Sequence, residues 1–148
     1  MTKVRAVLVD VDGTLVDVST IRHHVEGPKR DFDAFHRASI DCPPISPVVN
    51  RVNSLHESGL SVIVISGRED RFRRLTDFWL AMWNIPCERL LMRRTGDWRA
   101  DVILKREFFE DLSQSFEIVE VIDDRDDLLA MWKTLDIPSV VDVHKLAS

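Results

Sequence analysis

The stretch VLVDVDGTLVD, residues 7–17, decides how the chain reads. Residues 4–9 are rich in β-branched side chains and too few for an ordinary helix, which predicts a central strand of a parallel sheet. Asp10 then falls at the carboxyl end of that strand. In open α/β sheets ligands bind in the crevice beyond those ends, so its position already suggests a site. Asp10 and Asp12 stand two residues apart, and like charges so close repel and raise one another's pKa unless a cation lies between them. A hard divalent ion resolves the conflict. The plainer reading is that Asp12-Gly13 is a turn pair and nothing more.

Outward from this stretch, strand-like runs recur at residues 60–65, around 89–92, at 118–122 and at 139–143. Helical patterns separate most of them. Residues 47–58 carry Val48, Val49, Val52 and Leu55 at helical spacing and stop before Gly59. Residues 71–84 set Phe72, Leu75, Phe78, Trp79, Met82 and Trp83 on one stripe, expected to be core. Residues 105–112 and 126–135 complete the helices. The alternation predicts one α/β domain over residues 1–148, a three-layer, doubly wound parallel sheet with helices on both faces. Residues 16–46, which include HHVEGPKRDFDAFHRASIDCPP, break the alternation and are long for a loop, a sign of function or disorder. They are too few for a lid domain, so a short flap and no large cap is expected.

Composition narrows the class of function. With 148 residues, 45% apolar and 30% charged, the chain suits one soluble core. Lys3 and Arg5 lead straight into a strand and no apolar run approaches membrane-spanning length, so a cytoplasmic protein without membrane contact is expected. Cys42 and Cys87 have no metal-site companions and read as free thiols. The net charge of −5 argues against wrapping long nucleic acid. Between Ser66 and Ala100, however, eight Arg and five acids leave a local +3, either a basic wall beside an acidic site or a solvated helix face.

Four pieces stand at successive strand ends: DVDGT at 10–14, SGR at 66–68, Lys105 opening a helix, and DDRDD at 123–127. Their order and spacing resemble the haloacid dehalogenase superfamily of phosphohydrolases, and the resemblance spans nearly the whole chain. It implies a Rossmann-like core and an aspartyl-phosphate mechanism. Asp10 would attack phosphorus, splitting one hard hydrolysis into two easier steps. Asp12 would protonate the leaving group and then deprotonate water, a task suited to a pKa nearer neutrality than a free Asp has. Gly13 and Thr14 let the chain turn, Thr14 beside the substrate. Ser66 and the Gly67 amide would bond the phosphoryl oxygens, and Lys105 would neutralise charge on phosphate and Asp10. Mg²⁺ fits a purely oxygen ligand set, here Asp10, Asp12, Asp123 and Asp124, with Asp123 favoured as a direct ligand.

Within that superfamily, VDVDGTL, VIVISGRED, RRTGDWRADVILKREFF and EIVEVIDDRDDLLAMWKTLDI resemble the phosphatase domain of phage-type polynucleotide kinase-phosphatase. This implies removal of 3′-phosphates from nucleic acid ends or nucleotides. It also implies phosphate contacts from Arg68 and from Arg93 or Arg94, a basic role for Arg22 or Arg30, and Asp101 orienting Lys105 from one turn away. Trp98, Phe32 and Phe35 are candidates either for stacking on a base or for packing. No GxxxxGK[ST] motif occurs, so a kinase or ligase is expected on a separate partner. Two alternatives stay open: a general small-molecule or phosphoprotein phosphatase, and a non-catalytic binding domain on the same fold.

Overall fold

The computed structural model describes residues 2–146. Five strands, β1 (Val4–Asp10), β2 (Ser61–Glu69), β3 (Arg89–Arg93), β4 (Phe116–Asp123) and β5 (Ser139–Asp142), form one sheet in the order β3-β2-β1-β4-β5. Every pairing is parallel. The helices are α1 (Phe32–Ala38), α2 (Ser46–Glu57), α3 (Arg73–Met82), α4 (Asp101–Leu112) and α5 (Asp126–Lys133).

Side chains alternate across a strand, and β1 shows how both faces are used. Val7 and Val9 join Val48 and Val52 of α2 and Trp79 and Leu80 of α3 in one core cluster. Ala6 and Leu8 join Leu112 of α4 and Leu128 and Trp132 of α5 in the other. Parallel crossovers are right-handed, so a chain that steps from β1 outward to β3 lays its helices on one face. When it returns to β4 on the other side of β1, the next helices fall on the opposite face. The reversal leaves a crevice between the ends of β1 and β4, where neither crossover covers the sheet.

Several boundaries differ from the sequence-based expectation. β2 continues beyond residue 65 to Glu69, with its register against β3 shifting between Ser66 and Glu69, so SGR lies within the strand's irregular end. α4 begins at Asp101, which puts Lys105 one turn inside the helix instead of at its start. The aromatic stripe on α3 divides: Phe72 and Trp79 are buried, while Phe78 (59% exposed), Met82 and Trp83 face solvent. Only one side of α3 meets the sheet, and six large side chains subtend a wider arc than that side can cover. The flap contains α1, a helix of seven residues capped by Asp31, whose side chain accepts from the Ala34 amide at 3.0 Å. No helix among the described residues is long and apolar enough to cross a membrane.

Candidate active site

β1 and β4 pair as far as Val9 and Ile122, so the next residues, Asp10 and Asp123, emerge side by side at the sheet edge. Lys105 reaches both from α4, donating to Asp10 Oδ1 at 2.8 Å and lying 3.4 Å from Asp123 Oδ2. All three are buried. Asp123 also accepts from Trp132 Nε1 at 3.0 Å through Oδ2 and from the Asp124 amide at 2.8 Å through Oδ1. Asp124 is half-buried and, unlike Asp123, lines the open cleft. Thr14 Oγ1 lies 3.2 Å from both Asp10 Oδ2 and Asp124 Oδ1, with one proton to donate between them. Thr14 is itself wholly buried and outside the cleft lining, its hydroxyl engaged with these carboxylates, where its motif position implied a place beside the substrate.

The tight turn after β1 depends on Gly13, whose φ of +82° suits glycine and whose Cβ, if present, would overlap the Asp124 carboxylate. One carboxylate oxygen from each of Asp10, Asp123 and Asp124 lies within 4.8 Å of the others. Burial pushes the Asp10 carboxyl well above the usual range; the Lys105 ammonium opposes this, and Asp123 and Asp124 add to it. Asp124 is raised as well, by burial and by Asp123. Lys105 is held charged against its own burial by Asp10 and Asp123. Three crowded, oxygen-only donors, with Asp10 and Asp124 both raised, fit a hard divalent cation.

The Asp12 carboxylate lies outside this cluster, contrary to its expected place among the metal ligands, because it is turned toward Arg68. Arg68 donates to Asp12 through Nε (2.9 Å) and Nη2 (2.6 Å), to Thr76 Oγ1 (3.0 Å) and to Ser39 Oγ (3.0 Å). It is only 2% exposed. Its guanidinium clamps Asp12 while lining the cleft, where the resemblance implied a phosphate contact. Burial raises the Asp12 pKa, but the charge and hydrogen bonds of Arg68 outweigh it and leave the carboxyl below its ordinary value. That is the reverse of the expected shift toward neutrality. His36, from the flap, sits 3.9 Å from Asp12 among the rings of Phe32, Phe35 and Phe72, and its Nδ1 has no hydrogen-bond partner. Burial drives its pKa down to about 4.

Ser66 is buried and its Oγ accepts from the Arg68 amide at 3.0 Å, leaving its own proton to donate. Gly67 lines the cleft, and a Cβ there would fall 2.7 Å from Asp101 Oδ1. Asp101 does not bond Lys105 as expected. It bridges Arg93 and Arg125, the latter at 2.6 Å, because its position at the start of α4 aims it across the cleft floor toward both arginines. Arg93 is likewise spent within the protein, donating to Gly67 O, Asp97 O, Arg99 O and Asp101. Arg94, one residue past the end of β3, is exposed and outside the cleft lining. Arg30 and Arg22 both line the cleft from the flap.

The cleft has a volume of about 850 Å³. Trp98 and Phe32 stand exposed on its walls, whereas Phe35, also in the lining, is a buried residue of the flap helix α1. His36, Ser39, Thr76 and Trp132 support the site without any motif of their own. Trp132 shares the helical spacing of core residues, and the other three carry no spacing that ties them to Asp12 or Arg68.

The family model for the polynucleotide kinase PNKP phosphatase domain matches residues 4–145. A relative from Autographa californica nuclear polyhedrosis virus, named for polynucleotide kinase and RNA ligase activities, is 31% identical over 144 residues, 94% of this chain and 19% of its own length. The chain thus spans about a fifth of that relative. A solved structure of the Pnkp1/Rnl/Hen1 RNA repair complex superposes with a TM-score of 0.79 at 29% identity, covering 95% of this chain and 43% of the other. The class C acid phosphatase from Bacillus anthracis shares the fold, with a TM-score of 0.70 at 16% identity over 96% of this chain and 67% of that one.

Proposed function

The chain belongs to the family of polynucleotide kinase PNKP phosphatase domains and is a phosphatase, and from that premise we propose that it is a Mg²⁺-dependent hydrolase of 3′-phosphates on nucleic acid ends or nucleotides. The observation that carries the reading is the convergence of Asp10, Asp124 and Lys105 at the one point where the strand order reverses. The Lys105 ammonium opposes the rise in the Asp10 pKa and a cation held by Asp10, Asp123 and Asp124 would complete its ionisation as the nucleophile, and phosphoryl transfer asks for little beyond positioning and charge stabilisation.

In the first step an Asp10 oxygen bonds to phosphorus as the bond from phosphorus to the leaving sugar oxygen breaks. Asp12 gives that oxygen a proton. Asp12 begins ionised under the pull of Arg68, and an arriving phosphate anion raises its pKa by like-charge repulsion, which loads the proton. In the second step water attacks the aspartyl-phosphate and yields its proton to Asp12; the bond from phosphorus to Asp10 breaks and inorganic phosphate leaves. Ser66 Oγ–H and the Gly67 amide would donate to phosphoryl oxygens, and Lys105 would offset the charge that builds there. Asp10, Asp123 and Asp124 would hold Mg²⁺, which supplies charge neutralisation at the transferring group when bound. Asp124, which faces the cleft, is the better direct ligand; Asp123, already accepting from three donors, fixes the others.

The open cleft beneath a short flap supports a bulky end over a sugar phosphate. Removing a 3′-phosphate leaves the hydroxyl that a ligase joins, so a polynucleotide kinase or ligase, elsewhere in a longer protein or on another chain, is the fitting partner. The test compares a 3′-phosphorylated oligonucleotide, its 5′-phosphorylated counterpart and an aryl phosphate, with and without Mg²⁺, for wild type and Asp10→Asn. Preference for the first, loss in chelator and loss of orders of magnitude in Asp10→Asn are expected. Equal rates on all three would remove the nucleic acid specificity, and an active Asp10→Asn would remove the nucleophile.

A further inference from the structure

Trp98, 84% exposed, is the most exposed large apolar side chain among the described residues, and it lines the same cleft as Asp10 and Lys105. A solvent-facing indole is ordinarily a mobile one. This one is held. Arg93 donates to the carbonyls on either side of it, Asp97 O at 3.1 Å and Arg99 O at 2.6 Å. Asp97 Oδ1 accepts from the Arg99 amide at 3.1 Å, closing the turn. Thr95 is bonded through its amide and hydroxyl to Asp70, the Gly96 amide to Glu69, and Arg99 onward to Glu107 of α4. The loop is thus pinned to β2's end and to α4 while its largest side chain has no aromatic partner. A ring carried on a backbone fixed in advance leaves only its own side-chain rotation to be lost on binding, which is how a recognition surface is built.

The charges around it point to the class of ligand. Eight Lys and Arg side chains line the cleft, and six are bonded to carboxylates. Arg22 and Arg30 alone make no salt bridge or side-chain hydrogen bond among the described residues, although both face the cleft from the flap. Two uncommitted cations and two exposed rings, Trp98 and Phe32, interleave aromatic and basic character on one concave surface. That is the composition that binds single-stranded nucleic acid, where bases stack and the backbone meets cations.

We propose that Trp98 is a stacking platform for an unpaired nucleobase at the end of the substrate, with Arg22 and Arg30 receiving the adjoining phosphodiester charge. The inference rests on the 3′-phosphatase reading and adds what makes the end a nucleic acid end: a base face and a backbone charge read apart from the scissile phosphate. Stacking tolerates any base, so the site selects for a base and not for its identity.

The experiment uses two substrates, a 3′-phosphorylated trinucleotide and the same phosphodiester backbone carrying abasic residues throughout, with wild type, Trp98→Ala and Trp98→Phe. Trp98 is exposed, so neither variant disturbs the core. Wild type is expected to favour the base-bearing substrate roughly tenfold in kcat/KM, expressed in KM, since stacking binds ground and transition state alike. Trp98→Ala brings both substrates to the abasic level, and Trp98→Phe restores most of the difference. Equal use of both substrates by wild type, or an unchanged preference in Trp98→Ala, overturns the stacking role and leaves the phosphatase reading standing. Hydrolysis of neither, alongside turnover of an aryl phosphate, overturns the nucleic acid reading and this inference with it.

Discussion

Replacing Arg68 by methionine separates the two roles this arginine could have, because a clamp on Asp12 and a phosphate contact fail in different ways. The guanidinium donates twice to Asp12 and once each to Thr76 and Ser39. Thr76 also bonds Phe72 O and Ser39 also bonds His36 O, so those two hydroxyls keep a partner when Arg68 goes. Asp12 keeps only the distant imidazole of His36. Breaking a buried ion pair by removing one member costs about 3–5 kcal/mol. The Asp12 side chain is 23% exposed and can regain some water, so the low end, about 3 kcal/mol, applies. For a chain of this length that corresponds to a fall in Tm of roughly 9 °C, read by calorimetry at pH 7. Since the folded Asp12 pKa is depressed, the pair stabilises the protein above the ordinary carboxylate pKa, and its contribution disappears as pH falls through the folded value. The gap in Tm between wild type and variant therefore narrows below about pH 4. In the steady state kcat is expected to fall about a hundredfold with little change in KM, as for a misplaced general acid. A wild-type kcat with a raised KM would refute the clamp and return Arg68 to the phosphate.

Three further outcomes follow from the same geometry. His36 resists protonation until about pH 4 while an unfolded histidine takes its proton near 6.5, so stability is lost as pH falls between those values. Wild type is expected to lose about 2 kcal/mol from pH 7 to pH 5 relative to His36→Phe, and parallel melting curves for the two proteins would contradict this. Gly13→Ala drives a methyl group into the Asp124 carboxylate and is expected to raise the Mg²⁺ concentration for half-maximal rate about tenfold; an unchanged Mg²⁺ titration would show that Asp124 has no part in binding. Asp124→Asn relieves the crowding that raises both it and Asp10, so in chelator its Tm is expected to exceed that of wild type by roughly 3 °C. The order should reverse once Mg²⁺ is added, and a variant less stable in chelator would mean that the carboxylates are not in conflict.

Approximate strand positions, a doubly wound parallel sheet and the gathering of Asp10, Ser66 and Asp123 at one sheet edge were legible in the chain itself, whereas the role of Lys105 came from the family resemblance. Each follows from local rules: a β-branched run is a buried strand, strand–helix alternation makes a parallel sheet, and parallel strands deliver their carboxyl ends to one side. What each side chain does on arrival was not legible. Arg68, Arg93 and Asp101 have the residue types of a phosphate site, yet the fold brings each a partner from a distant segment. Asp12 lies 56 residues from Arg68, and Asp101 lies 24 from Arg125. The flap hid a helix because its seven residues bury only Phe35 and His36, too few to leave a periodic signal. Residue type and spacing determine which groups reach the sheet edge; which cations stay uncommitted there depends on hydrogen bonds closed across the sheet, and among the described cleft-lining cations only Arg22 and Arg30 are left without a carboxylate partner.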